Sequence, residues 1–210
     1  VIFNTKKETG VFFTQLCESG KYDRAYHLST SMCAYHRRQV IKNIRQDLQR
    51  KIKIAVCSTQ LIEAGVDFDF PMVFRALAPL ESIIQSAGRC NREGKMESKG
   101  LVFIFQLENC GWPDATYRTC ANYAKSMILE DVKILEQHNS YEDYYRFVID
   151  LFVDPDKRKI DEARMMPFKF KTVAESYRII ESPTTELLIR DYNDDTKRFV
   201  ESIQNKPFIS

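Results

Sequence analysis

Apolar and polar positions along this chain follow two periods, and the switches between them mark out short strands and longer helices. Residues 1–3 are an apolar run entering Asn4-Thr5-Lys6-Lys7. That predicts a buried strand whose carboxyl end meets solvent, the edge of an open α/β sheet where ligand-handling residues gather. Residues 9–19 carry Phe12, Phe13 and Leu16 on one side, the spacing of a helix. Residues 26–28 form a second short strand and end in Ser29-Thr30-Ser31. Between Cys33 and Arg50, Val40, Ile41, Ile44 and Leu48 recur at helical spacing on a background rich in Arg, Lys and Gln. Residues 52–57, 72–76 and 101–105 are apolar runs short enough for buried strands. Residues 60–64 predict a short turn or helix broken by Gly65, and residues 82–87 a helix that lasts until Gly88. Strands alternating with helices predict an α/β fold, a mainly parallel sheet with helices on both faces.

The pattern changes after Asn109. Pro113 and Asp114 are helix-start residues, and residues 115–138 support one long helix. Residues 141–153, rich in Tyr and Phe, predict another, which Asp154-Pro155-Asp156 ends. Residues 168–171 and 186–189 read as short strands and residues 196–204 as a final helix. The expected organisation is an α/β domain over residues 1–108, followed by a mostly helical accessory region over residues 109–210 that packs on it. The chain opens directly on a strand, as a portion of a longer protein would.

Charge sharpens this picture. Residues 1–100 hold 16 Lys/Arg against 10 Asp/Glu, whereas residues 101–210 hold 15 against 19. A basic first half fits a surface that faces a polyanion. The six cysteines have no C-x-x-C spacing and there are three histidines, so the pattern favours reduced thiols in a cytoplasmic protein over a zinc centre or a disulfide scaffold. No apolar run reaches the length of a bilayer span, and no signal-peptide pattern opens the chain.

The candidate chemistry lies in residues 80–94, LESIIQSAGRCNREG, with Gln85, Gly88, Arg89 and Arg92. Arg89 and Arg92 are three apart, and on one helical turn they would face a single cleft. Phosphoryl transfer needs fixed positive charge of this kind. Upstream, STQLIEAGVDFD at residues 58–69 supplies a turn at Gly65 and a projecting carboxylate at Asp67, with Asp69 expected to be structural or on the surface. Ser58 and Thr59 place small hydroxyls at a strand end, suited to a nucleic-acid phosphate or to capping the next helix. Ser29 and Thr30 repeat that arrangement, and Arg37 and Lys6 would extend it into an electrostatic track. His36 suits either stacking or packing. Trp112 and the aromatic stripe of residues 141–152 have the spacing of helix packing before that of base stacking. Arg75, in a strand-like run, has no phosphate role. The sequence contains no G-x-x-x-x-G-K-[ST] loop, no acidic Asp-Glu-x-His motif and no paired-histidine nuclease pattern.

Taken in order, VIFNTKK, LSTSMCAYHRR, STQLIEAGVDFDF and QSAGRCNREG resemble the second RecA-like domain of a superfamily-2 helicase. With FKTVAESYRIIE at residues 170–181, the arrangement is similar to the helicase portion of the CRISPR-associated helicase–nuclease of type I systems. The resemblance implies that Arg92 is an arginine finger, Arg89 a second phosphate contact and Gln85 a placer of the attacking water. Gly65, Asp67 and Gly88 would belong to the nucleotide side. Lys6, Ser29, Thr30, Arg37, Ser58 and Thr59 would belong to the nucleic-acid side. It further implies ATP and Mg2+ in the intact protein, with their principal ligands in a preceding RecA-like domain, and no metal bound by this chain. Single-stranded DNA, a guide-RNA surveillance complex, that first RecA-like domain and an HD nuclease domain would be the partners. The chain alone would be inactive. The alternatives are another superfamily-2 helicase acting on RNA or DNA, or a nucleic-acid-binding module without catalysis.

Overall fold

The structure is a computed structural model describing residues 1–63, 66–94, 96–97, 99–136, 138–151, 170–171 and 189–204. Two compact units divide the chain, Val1–Phe152 and Val153–Ser210.

The first unit is built on two parallel strand pairs. Strand β1 (Arg24–Leu28) runs beside β2 (Ile54–Ser58), and β3 (Met72–Ala76) beside β4 (Leu101–Phe105). Residues 1–3 join them: Ile2 bridges Ser58 on one side and Arg75 on the other, both in parallel. The Ile2 N–H donates to the Phe74 carbonyl at 2.8 Å and the Phe3 N–H to that of Ser58 at 2.9 Å. The spatial order is therefore β1, β2, residues 1–3, β3, β4, with every carboxyl end on one edge.

Helix α1 (Lys6–Ser19) starts three residues before the expected position. Thr5 caps it, accepting from the Glu8 N–H at 3.3 Å and donating its hydroxyl to the Glu8 carboxylate at 2.8 Å. Gly20, at φ 60°, ends the helix in the left-handed conformation that glycine adopts without strain. Helix α2 (Ala34–Gln49) lies on the opposite face of the sheet. Its Ile44 is fully buried among Ile2, Leu28, Val56, Ile62 and Val73, with Val40, Ile41 and Leu48 beside it, and burial of one such side chain contributes about 1.5–3 kcal/mol. Asp47 of α2, 1% exposed, accepts from Arg24 at 2.9 Å and Tyr26 at 2.5 Å and so pins the helix to β1. On the α1 side of the β3–β4 pair, Met72, Phe74, Leu101 and Phe103 stay exposed, and Phe74 stacks on Phe103 at 4.9 Å. There the described residues leave open a face that was expected to be covered.

Helix α3 (Leu80–Ala87) follows β3 and packs on α4 (Ala115–Glu130) and α5 (His138–Asp150). The single long helix expected over residues 115–138 ends at Glu130, and a 3-10 segment (Val132–Glu136) follows it. Asp131 takes extended backbone, and its carboxylate accepts from the Lys133 N–H at 2.8 Å, forming a turn that competes with helix continuation. Helix α5 carries the aromatic stripe inward: Tyr144 is fully buried, and Phe147 stacks on Tyr123 at 3.9 Å. The Tyr144 hydroxyl accepts from the Leu80 N–H at 3.2 Å and donates to Glu81 at 2.9 Å, capping the start of α3 where Pro79 supplies no side-chain bond. Burial and the Glu81 carboxylate push the Tyr144 phenol well above its usual range.

In the second unit a short 3-10 turn (Arg190–Tyr192) precedes helix α6 (Asp194–Gln204), whose start is closed by reciprocal bonds between Asn193 and Thr196. Phe170 and Lys171 have helical backbone in place of the expected strand. The rest of that segment, and the strand expected at residues 186–189 apart from Ile189, lie outside the described residues. No helix among the described residues is long and apolar enough to cross a membrane.

Candidate nucleotide and nucleic-acid sites

The sheet separates the sequence-derived candidates into two clusters. At the carboxyl edge stand Lys6 after the first strand, Ser29 and Thr30 after β1, and Ser58 and Thr59 at the end of β2, with Arg37 in the first turn of α2. Lys6 and Thr30 are exposed and Arg37 is half-buried, whereas Ser29, Ser58 and Thr59 are buried. The Ser58 hydroxyl is consumed internally by the carbonyls of Leu28, at 2.9 Å, and Thr59, at 2.8 Å. Thr59 precedes the 3-10 turn (Gln60–Ile62) and makes no side-chain capping bond. His36 is exposed on α2, and Trp112 packs against Tyr117 at 6.3 Å.

The second cluster lies across the sheet, at the amino-terminal edge of β3. Helix α3 ends at Ala87, so Arg89 and Arg92 do not share a helical turn as their spacing suggested. The cause is pairing with Phe70: its N–H donates to the Arg89 carbonyl and its carbonyl accepts from Asn91, both at 2.9 Å. Asn91 then takes φ 47° and reverses the chain. Asp69 fixes the turn, its two oxygens accepting the N–H groups of Arg92 at 2.7 Å and Glu93 at 3.3 Å. Gly100 completes the support, because a Cβ there would stand 2.5 Å from the Cys90 sulfur and 3.1 Å from the Asn91 Cβ. A Cβ on Gly88 would make only ordinary contacts with the carbonyls of Gln85 and Ile84, so close helix packing within this chain does not require that glycine.

The two arginines consequently face different surroundings. Arg92 pairs with the Asp67 carboxylate, and both side chains are open to solvent, at 44% and 68% exposure. Arg89 turns inward: Nη2 donates to the Glu63 carbonyl at 2.5 Å, and its Nε is buried with no acceptor among the described residues. It also lines a cavity of about 340 Å³ with Val1, Val56, Phe70, Met72 and Phe74. Gln85 is exposed on the last turn of α3. Gly65 lies outside the described residues.

Between the clusters sits a buried polar group that the motif reading missed. Arg75, fully buried in β3, pairs with Glu63 at 2.9 Å. It also donates to Asn4 Oδ1 at 2.7 Å and to the Tyr117 hydroxyl at 3.0 Å. Ser86 of α3 donates to Glu63 at 3.0 Å. Burial pushes the Glu63 carboxyl above the usual range, and Arg75 and Ser86 pull it partly back. A lone charge within MVFRA and another within QLIEAG were the available signal, since buried charges are almost always paired.

Residues 1–95 match the family described as CRISPR-associated nuclease/helicase Cas3, C-terminal. A curated relative, the CRISPR-associated nuclease/helicase Cas3 of Haloferax volcanii, is 60% identical over 69 residues. Residues 1–95 are thus similar to the C-terminal region of Cas3. The match with the Haloferax protein covers 30% of this chain and 7% of that relative. In fold, the chain resembles T. fusca Cas3 with ATP, at TM-score 0.54 and 17% identity, over 83% of this chain and 22% of that one. It also resembles a chain of a CRISPR RNA-guided surveillance complex in a pre-nicking state, at TM-score 0.51 and 18% identity, over 83% and 23%. The chain thus spans about a fifth of the solved Cas3 chains it matches. Among the described residues, no group of three or more His, Cys, Asp and Glu side chains gathers as a metal centre.

Proposed function

We propose that this chain is the second motor half of a cytoplasmic, ATP-dependent translocase and helicase that acts on single-stranded DNA during CRISPR interference. Residues 1–108 form the motor domain and residues 109–210 the accessory region. The observation that carries the reading is Arg92, an open guanidinium on a turn whose backbone is fixed by Asp69. Among the described residues it is paired only with the exposed Asp67 side chain, so its charge can be offered across a cleft to a phosphate held by another domain. ATP and Mg2+ supply the cleavable phosphoryl group and its counter-charge, and their principal ligands belong to a preceding RecA-like domain. Arg92 neutralises charge that develops on the transferring group, Asp67 holds Arg92 until then, and Gln85 orients water. Arg89 steadies the loop from inside and reaches phosphate only after releasing the Glu63 carbonyl. Gly65 and Gly88 are assigned to the nucleotide side.

On the opposite edge, Lys6, Thr30, Arg37 and Thr59 grip the backbone of the strand without reading its bases, and Ser29 and Ser58 shape the surface from beneath. An HD nuclease domain and a guide-RNA surveillance complex are the remaining partners of the intact protein. Steady-state ATP hydrolysis tests the proposal, comparing this chain with the intact protein, each with single-stranded DNA and with RNA of matched sequence. The chain alone gives no turnover, and the intact protein is stimulated by DNA. Stimulation by RNA alone would identify a different helicase, and tight salt-sensitive binding without turnover would identify a binding module. Robust turnover by the purified chain would end the split-site reading.

A further inference from the structure

The structure assigns Arg75 a positioning role: it is the buried hub through which occupancy of the nucleic-acid edge sets the presentation of the arginine loop. This inference rests on the motor reading above and deepens it. Arg75 belongs to neither cluster, yet its guanidinium is bonded toward both. Toward the carboxyl edge, Nη1 donates to Asn4 Oδ1 at 2.7 Å. Asn4 immediately precedes Thr5, which caps α1, and Lys6, the first residue of that helix. The Asn4 carbonyl accepts from Gln60 Nε2 at 3.1 Å, and Gln60 follows Thr59. Two proposed strand contacts are therefore close to this junction, Lys6 two residues from Asn4 and Thr59 next to Gln60.

Toward the other edge, Nη2 lies 2.9 Å from the Glu63 carboxylate. That carboxylate holds Ser86 on α3, and the Glu63 carbonyl holds the Arg89 guanidinium. Glu63 also begins the stretch that leads to Asp67, the partner of Arg92. Helix α4 joins through the Tyr117 hydroxyl, which accepts from Arg75 at 3.0 Å and donates to Asn4 at 2.9 Å. Side chains 0% and 5% exposed cannot exchange these partners for water. A shift of Asn4 or Gln60 at the strand-facing edge must therefore be absorbed by Arg75, and passes to Glu63, Ser86 and Arg89. The Arg75 Nε, buried with no acceptor among the described residues, leaves the hub one bond short of full satisfaction, as expected of a group with an alternative arrangement to adopt. A hydrophobic pair of similar volume would fill this space at least as stably, so fold stability alone does not explain the choice of residues.

The test uses the intact protein with Arg75→Lys and Glu63→Gln, variants that keep a side chain of similar length in place. Hydrolysis kcat and KM for ATP are measured with and without single-stranded DNA, well below each variant's melting temperature, alongside DNA affinity. The expected result is a fall of about tenfold in DNA-stimulated kcat, within the range of inter-site coupling, with KM for ATP and DNA affinity close to parental. A purely structural role would lower the melting temperature and leave kcat per folded molecule and the degree of DNA stimulation unchanged, and that result overturns the proposal. Should both variants fail to fold, Tyr117→Phe decides, since it removes one hydroxyl and no charge. A two- to fivefold loss of stimulation, about the lower limit of such coupling, supports the hub, and parental stimulation removes it. If the parent itself shows no DNA-stimulated hydrolysis, the motor reading falls and this inference with it. A stimulated parent with unaltered variants removes only the hub.

Discussion

The two edges of the sheet are built by opposite means. At the carboxyl edge the candidate contacts grow directly out of strand ends, and backbone ladders and buried hydroxyls such as Ser58 fix their positions. At the arginine edge an isolated pairing with Phe70 takes the place of a ladder, and single residues complete it: Asp69 holds the turn and Asn91 reverses it, while Gly100 gives it room. The guanidinium of Arg92 remains open. A surface that grips a strand needs shape that does not change with sequence. A charge that meets a phosphate on another domain needs a firm base and a free end.

That contrast can be broken most directly at Arg92. Arg92→Ala in the intact protein lowers single-turnover ATP hydrolysis by roughly 10²–10³, less than the full effect of other arginine fingers because further cations remain. Arg92→Lys rescues poorly, since an ammonium lacks the guanidinium fork. Parental hydrolysis by Arg92→Ala would remove the finger assignment. Asp69→Ala acts on the same loop from below. It strips two exposed backbone N–H groups of their acceptor, loosens the base of Arg92 and lowers hydrolysis about tenfold, less than the roughly 10² that a misplaced catalytic group can cost, and a crystal structure of the variant shows the turn displaced.

At the other edge the expected effects are smaller and of a different kind. Arg37→Ala weakens binding across unrelated DNA sequences and lowers the salt slope of binding by about one. Isotherms over a salt series with an unchanged slope would take Arg37 off the track. Smallest is the effect of protonation at the centre. Folded Glu63 holds its proton more tightly than the unfolded chain does. Its contribution to stability is full below the ordinary glutamate value of about 4.3 and is lost as pH rises through the higher folded value. Denaturant midpoints across that range fall with pH for the parent relative to Glu63→Gln. Parallel curves would mean that Glu63 does not titrate in this way.

Much of this arrangement was legible before any coordinates. Met72–Ala76 and Leu101–Phe105 are the strands their apolar runs predict, because Pro71 and Gly100 mark their starts unambiguously. The early start of α1 was encoded in Thr5 and Glu8, a capping pair outweighed in the reading by the apolar stripe that begins later. The break at Asp131 carried no glycine or proline, and an aspartate that closes a turn with its own side chain is a weaker signal. The motifs named the residues of both clusters but not the different surroundings of Arg89 and Arg92. Three-residue spacing places two arginines on one face only while the helix lasts, and pairing of Phe70 with Arg89 and Asn91 is a contact between segments that periodicity does not register. The motifs give Arg75 no phosphate role, yet a lone arginine in an otherwise apolar strand announces a buried partner, and Glu63 is that partner.

The division of labour between the two edges is tested most directly by measuring hydrolysis and binding together in the intact protein, for Arg92→Ala and Arg37→Ala side by side. The account predicts that Arg92→Ala loses roughly 10²–10³ in single-turnover hydrolysis and binds single-stranded DNA with parental affinity. Arg37→Ala loses affinity and, at saturating DNA, hydrolyses at close to the parental rate. Equal losses of both activities in both variants, or parental hydrolysis by Arg92→Ala, would contradict it.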